Sequence, residues 1–288
     1  MTELLKASAR HSSSRSNPLL DVTEFPIRIQ EGRLFAALIE SGWSLRITHT
    51  QALALKGIDQ YFPIEISSCQ VGGVYKVPIS IDHNAPRTTF GTVTRPLIFP
   101  LWLTEIASTR YYARHIRVSF SGLPTKDRLI RTAHFLEKHF ETSALFPLVQ
   151  RTISVFPPNK IQLSLLSRLY GAYKSHGVII DWNDRGRQIQ NKIIDNTYWH
   201  TLLQSQLVYC PPGDLPWTYR FYEAAIAGAL PIFDGPPQST FLKPFKYIED
   251  YDDSIITEPN YSKLVGHNRS TAIELLTAKQ ALAPQNFI

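Results

Sequence analysis

The chain has 288 residues, of which 43% are hydrophobic and 19% charged, with 20 prolines and 14 glycines. This globular composition excludes the disordered, collagenous and coiled-coil classes. Two cysteines, Cys69 and Cys210, exclude a disulfide framework and a zinc site built on four thiolates. The net charge of +6 is uneven, with +4 over residues 1–120, +5 over 121–200 and −3 over 201–288. A basic first two-thirds suits an anionic partner such as a nucleotide, a nucleic acid or a lipid surface. No five basic residues follow one another, so no nucleic-acid arm is expected.

Residues 1–20 read as a loose tail rich in serine, and no apolar stretch follows its basic residues as in a secretory leader. The longest apolar run, residues 96–103, is broken by Pro100 and falls short of the roughly 20 residues needed to cross a bilayer. A cytoplasmic protein is expected. In chain order, helical spacing predicts a helix over 33–40, and strands follow over 44–48, 61–67 and 74–81. Residues 84–96 carry Pro86, Gly91 and Pro96 and read as a loop. From about residue 110 the pattern changes to strand, loop and helix units. A strand over 116–121 ends at Gly122 and precedes a helix over 127–140. A helix over 160–174, a strand over 178–182 and a helix over 187–205 follow. Then come a strand over 207–210, a loop over 211–217, a helix over 218–227 ended by Gly228, and a strand over 229–233. Strands alternating with helices predict a parallel sheet covered on both faces. Ligands bind such sheets at the carboxyl ends of the strands, which points to the loops 122–128 and 211–220.

Residues 207–233, LVYCPPGDLPWTYRFYEAAIAGALPIF, carry the most chemistry. Gly213 lets the loop approach a ligand closely. Asp214 or Thr218 is placed to cap the next helix, whose free N–H groups and positive dipole end suit a phosphate. Arg220 in the first turn adds a fork of donors. Glu223 lies one turn on and is placed to accept hydrogen bonds from a ribose diol; as an early-helix carboxylate it is expected outside the core. The competing reading is an ordinary surface Arg–Glu pair. Trp217 is the tryptophan best placed to stack on a base or sugar ring.

This segment resembles the nucleotide-sugar-binding motif of the exostosin-type glycosyltransferases, a GT-B family, through Cys210, Pro211, Gly213, Asp214, Thr218, Arg220, Glu223, Ala224, Gly228, Pro231 and Ile232. Pro212 stands where the family often has an arginine. The strand ending at Gly122, followed by Lys126, Arg128 and Arg131, is similar to the start of the family's donor domain. Phe99-Pro100 matches the close of its acceptor domain. The resemblance covers about half the chain. It implies a GT-B architecture, an α/β fold of two Rossmann-like lobes with parallel sheets. The first lobe, 21–105, is reduced, and the second, 106–288, binds the nucleotide sugar. It further implies an inverting, metal-independent transferase that moves a sugar from a nucleotide donor, commonly UDP-linked, to a glycan or lipid-linked acceptor. No cofactor beyond the nucleotide sugar is called for. Donor binding falls to Gly122, Arg128, Gly213, Trp217, Thr218, Arg220 and Glu223. The basic first lobe would then meet an anionic membrane surface peripherally.

Inversion needs a general base near the acceptor hydroxyl. Asp82, with His83 at the end of the strand 74–81, is the first choice; Glu105 and His49 are weaker ones. A metal-dependent reading would use Asp250-Tyr251-Asp252 with Asp253, or Asp181 with Asp184 after the strand 178–182; an exposed acidic loop over 249–253 and a polar loop at Asp181 and Asp184 are the simpler expectations. The alternative function is a non-catalytic nucleotide- or glycan-binding partner in a glycan-synthesis complex.

Overall fold

The structure, a computed structural model, describes residues 17–55, 74–82, 84–109, 113–140, 173–175, 177–183, 195–213, 215, 217–234, 242–257 and 259–288. The predicted strand over 61–67, the first part of the helix over 187–205, and Cys69, His83, Asp184 and Asp214 lie outside these residues. The chain divides into two compact units. One comprises Met1–Ile106, Ile189–Asp195 and Ile273–Ile288, the other Ala107–Gln188 and Asn196–Ala272. Parallel sheets occur in both, so the protein is mixed α/β.

In the first unit β1 (Leu19–Asp21), α1 (Ile29–Glu40), β2 (Ser44–Arg46), α2 (His49–Leu55) and β3 (Val74–Tyr75) build a small parallel sheet of order β2-β1-β3. A second, antiparallel sheet is made by β4 (Ile79–Asp82), β5 (Arg87–Phe90) and β6 (Val93–Arg95). This corrects the loop expected over 84–96. Thr88, Thr89 and Thr94 favour strand, and Gly91, at φ 55°, makes the turn that pairs Phe90 with Val93. Leu34, Phe35 and Leu38 of α1 pack with Trp43, Phe90 and Ile98. Each fully buried side chain of this size contributes roughly 1.5–3 kcal/mol. Ala278 and Leu282 join the same core, and Trp43 Nε1 donates to the Leu282 carbonyl at 2.7 Å. The last sixteen residues therefore belong to the first unit, although the expected second lobe ran through residue 288. After Pro100 the chain forms α3 (Leu101–Thr109), whose first amides, of Leu101 and Trp102, donate to the Glu40 carboxylate at 2.6 and 2.8 Å.

The second unit is built on β7 (Ile116–Gly122), α4 (Lys126–His139), β8 (Tyr173–Ser175), β9 (Val178–Trp182), α5 (Asn196–Gln204), β10 (Ser205–Tyr209), α6 (Tyr219–Ala227) and β11 (Leu230–Ile232). Two further helices, α7 (Ser254–Thr257) and α8 (Tyr261–Leu276), follow, the second running on into the residues of the first unit. Tyr173 and Lys174, the end of the helix expected over 160–174, are strand. They pair with β9 ahead of Gly177, whose φ of 76° forms the turn. The sheet order is β11-β10-β7-β9-β8, with only β8 antiparallel to its neighbour. Val118, Phe120, Ile180, Leu207 and Ile232 pack with Leu129, Ala133 and Leu136 of α4, as expected for strands covered on both faces. From β7 the chain moves to β9 on one side and then returns to β10 on the other. The carboxyl ends of β7 and β10 are thus neighbours where the winding reverses, the position at which such sheets bind ligands.

Candidate functional site

Two helices begin at that reversal. Thr125 caps α4, its Oγ1 accepting the Arg128 N–H at 3.4 Å. Thr218 occupies the cap position of α6 with extended backbone, φ −144° and ψ 140°, but its hydroxyl makes no capping bond. The first amides of a helix have no partner within the helix and carry its positive dipole end, so a start without a side-chain cap favours an anion.

The loops after β7 and β10 are joined by two arginines that cross between them. Arg220 of α6 reaches back to β7: its Nη2 donates to the Ser121 carbonyl, and its guanidinium lies 4.4 Å from the centre of the Phe120 ring. A Cβ on Gly122 would overlap that guanidinium. Conversely, Arg128 of α4 reaches the loop after β10, where a Cβ on Gly213 would overlap its guanidinium. Each glycine therefore admits the arginine of the other loop. Gly122, Arg128, Gly213 and Arg220, all expected at the site, are brought together. Arg220 is only 8% exposed, and its Nε and Nη1 have no hydrogen-bond partner among the described residues. Burying a guanidinium with donors unmet is costly unless an anion completes it. Arg131, also expected nearby, is different: its Nη1 donates to Asp234 Oδ2 at 2.9 Å, which also accepts from Tyr209 Oη at 3.2 Å.

Glu223 is 5% exposed, which corrects the expectation that it lies outside the core. The reason is α5, which packs against α6 and presents Tyr198, whose hydroxyl donates to Glu223 Oε2 at 2.5 Å. Burial and the adjacent carboxylate push the Tyr198 phenol well above its ordinary range, so it remains a donor. The carboxylate expected to hold a ribose is bonded to a protein phenol instead. Cys210, at the end of β10, is buried and its thiol is pushed up by desolvation, leaving it a neutral packing group. Trp217 is 5% exposed and stands edge-on to Tyr219 at 4.8 Å, so its ring is covered rather than offered for stacking.

The sequence did not single out Ser121, and it put Asp181 in a simple polar loop. Asp181 is the next-to-last residue of β9, in register with Ser121 on β7. Its Oδ2 accepts from Ser121 Oγ at 2.9 Å and from Asn183 Nδ2 at 2.8 Å, while the Asn183 N–H donates to the Gly122 carbonyl at 3.0 Å. The signal was available: a carboxylate closing the apolar run VIID at the carboxyl end of a parallel strand.

Asp82 closes the turn between β4 and β5, its Oδ1 accepting from the amides of Asn84 at 2.9 Å and Ala85 at 3.3 Å. That is a turn-forming role. The acidic loop is also engaged: Asp250 with Lys138 and His139, Asp252 with the Ser254 amide and hydroxyl, Asp253 with Arg117 and Tyr251. Among the described residues no group of three or more His, Cys, Asp or Glu is arranged to hold a metal ion. Among them, too, no helix is long and apolar enough to cross a membrane. A cleft of about 370 Å³ opens at the opposite, amino-terminal edge of the sheet. Its cations are already used, Arg114 on the Ser205 and Ala227 carbonyls and Arg117 on Asp253.

No protein-family model matches the sequence, and no curated protein matches it.

Proposed function

We propose that the second unit binds the donor of an inverting glycosyltransferase of the GT-B type, a nucleoside-diphosphate sugar, UDP-linked by the resemblance of residues 207–233. The observation that carries the reading is Arg220. It is a buried guanidinium with Nε and Nη1 unmet, held by the Phe120 ring and the Ser121 carbonyl where the parallel sheet reverses. The diphosphate would complete it, with Arg128 and the uncapped start of α6 as further donors. In the transfer, the acceptor hydroxyl oxygen bonds to the anomeric carbon as the bond from that carbon to the phosphate oxygen breaks. Charge then gathers on the departing diphosphate, where fixed cations act most strongly. The hydroxyl proton passes to a base on the acceptor side. Asp82 is not assigned that role, because its carboxylate holds a turn. The acceptor is a glycan or lipid-linked glycan, and the basic first lobe would meet an anionic membrane surface peripherally.

The test is transfer from UDP-sugars to oligosaccharide and lipid-linked acceptors, read as UDP release with the anomeric configuration of the product determined by NMR. Release is expected to fall by about 100-fold or more in Arg220→Gln. UDP binding without release on any acceptor would favour the non-catalytic reading, a nucleotide-binding partner within a glycan-synthesis complex. That reading draws on one observation: Asp82 and Glu223 are both already bonded within the protein.

A further inference from the structure

The donor-site reading leaves the sugar rings of the nucleotide without a carboxylate, since Glu223 is buried against Tyr198. We infer that Asp234, just past the carboxyl end of β11, takes that place and accepts ring hydroxyls of the bound nucleotide sugar through Oδ1; the inference rests on that donor-site reading. β11 pairs with β10 in parallel register, Ile232 opposite Tyr209, and the Cys210 N–H donates to the Ile232 carbonyl at 2.8 Å. By that register Asp234 stands beside the start of the loop after β10, at the edge where such sheets bind ligands. Helix α4 ties the two together. Arg128 and Arg131 are three residues apart on one face of it, with roughly 5–6 Å between their Cβ atoms. Arg128 reaches Gly213 in the loop after β10, and Arg131 reaches Asp234. A diphosphate held at Arg220 and Arg128 thus carries an attached sugar ring toward Asp234.

The carboxylate is built for this task. Both of its donors, Arg131 Nη1 at 2.9 Å and Tyr209 Oη at 3.2 Å, fall on Oδ2, and Oδ1 accepts no hydrogen bond among the described residues. The side chain is 39% exposed, so it stays within reach of a ligand. Tyr209 is fixed by stacking on Phe135, ring centres 4.2 Å apart. Burial and the neighbouring Asp234 push its phenol far above the ordinary range, so it remains a donor and holds the plane of the carboxylate. A bare carboxylate beside a diphosphate would repel it; Arg131 offsets that charge. An ionised carboxylate only accepts, so it takes hydroxyl donors and discriminates against the phosphate oxygens.

A nucleotide sugar carries hydroxyls on its ribose and on the sugar to be transferred, and the experiment tells the two apart. Wild type and Asp234→Asn are titrated calorimetrically with UDP and GDP, their 2′,3′-dideoxy analogues, UDP-glucose, UDP-N-acetylglucosamine, GDP-mannose and inorganic pyrophosphate. If the ribose is the group held, Asp234→Asn weakens the ribonucleotide by about 10- to 100-fold and leaves its dideoxy analogue within about threefold. If the transferred sugar is held, the free nucleotides stay within about threefold and a sugar-linked donor alone weakens by about 10- to 100-fold. Either pattern supports the inference. Pyrophosphate is expected to bind Asp234→Asn at least as tightly as wild type, since one negative charge is gone, and to be lost in Arg220→Gln. That separates the two assignments and shows that the Asn variant is folded. Wild-type affinity of Asp234→Asn for every ligand would overturn the inference, as would equal weakening of all of them, pyrophosphate and the dideoxy analogues included. Failure of every nucleotide to bind wild type would overturn the donor-site reading and this inference with it.

Discussion

Each unit carries an arginine over a phenylalanine. Arg33 lies 4.7 Å from the centre of Phe99 in the first unit, and Arg220 lies 4.4 Å from that of Phe120 in the second. Both are buried, and both sit near the start of a helix that follows a parallel strand. They differ in what surrounds that start. On α1 the Glu31 carboxylate accepts the Arg28 N–H at 3.2 Å, so the first turn holds its own anion. On α6 the first turn has no acidic residue and the Thr218 hydroxyl makes no cap. The first unit has therefore closed its helix start with protein groups, and the second has left one open where two strand ends meet. The same ingredients stand beside a closed helix start in one unit and an uncapped one in the other.

The largest test of this contrast is to remove each ring. Phe99→Ala and Phe120→Ala should each cost about 3–5 kcal/mol, read from urea unfolding, because both rings are fully buried. At temperatures where both variants are folded, only Phe120→Ala should lose nucleotide binding. Equal loss in both would erase the distinction. Next in size is Tyr198→Phe, which leaves the buried Glu223 carboxylate short of a donor. It should cost about 1–3 kcal/mol, a fall in melting midpoint of roughly 2–4 °C per kcal/mol. An unchanged midpoint would mean that Glu223 is not held by Tyr198 and is open to a ligand after all. The smallest effect is a pH dependence confined to the first unit. Burial holds the Glu40 carboxyl above its ordinary range. The native state therefore binds this proton more tightly than the unfolded one does. The stability it contributes is complete below the ordinary carboxyl range and is lost as pH rises through the raised value. Glu40→Gln should flatten that part of the stability profile while nucleotide affinity stays unchanged. A profile identical to wild type would place the acid-side slope elsewhere.

Local signals made much of the second unit readable. Strand 178–182 and the helices after β7 and β10 follow from apolar spacing, and Gly228 ends α6 at φ 72° as its position required. The pairing of glycines with arginines in the candidate site is consistent with their residue types, since close approach needs glycine and a fork of donors needs arginine. What was not legible depends on contacts between distant segments. Gly122 makes room for Arg220, some hundred residues later, and Gly213 for Arg128; this crossing follows only from the order of the strands. The burial of Glu223 depends on α5, whose Tyr198 reaches it from a helix that sequence alone does not place against α6. The hairpin of β5 and β6 was hidden by Pro86, Gly91 and Pro96, which mark its ends and its turn rather than an irregular loop. The return of residues 273–288 to the first core rests on contacts such as Trp43 with Leu282, 239 residues apart.

The measurement that bears most directly on the central claim is calorimetric titration of wild type and Arg220→Gln with UDP, GDP and ADP. The account predicts that at least one of them binds wild type, and that Arg220→Gln weakens this binding by about 30-fold or more while the melting midpoint without nucleotide stays near that of wild type. Binding of equal strength to both proteins, or no binding of any of the three to wild type, would contradict it.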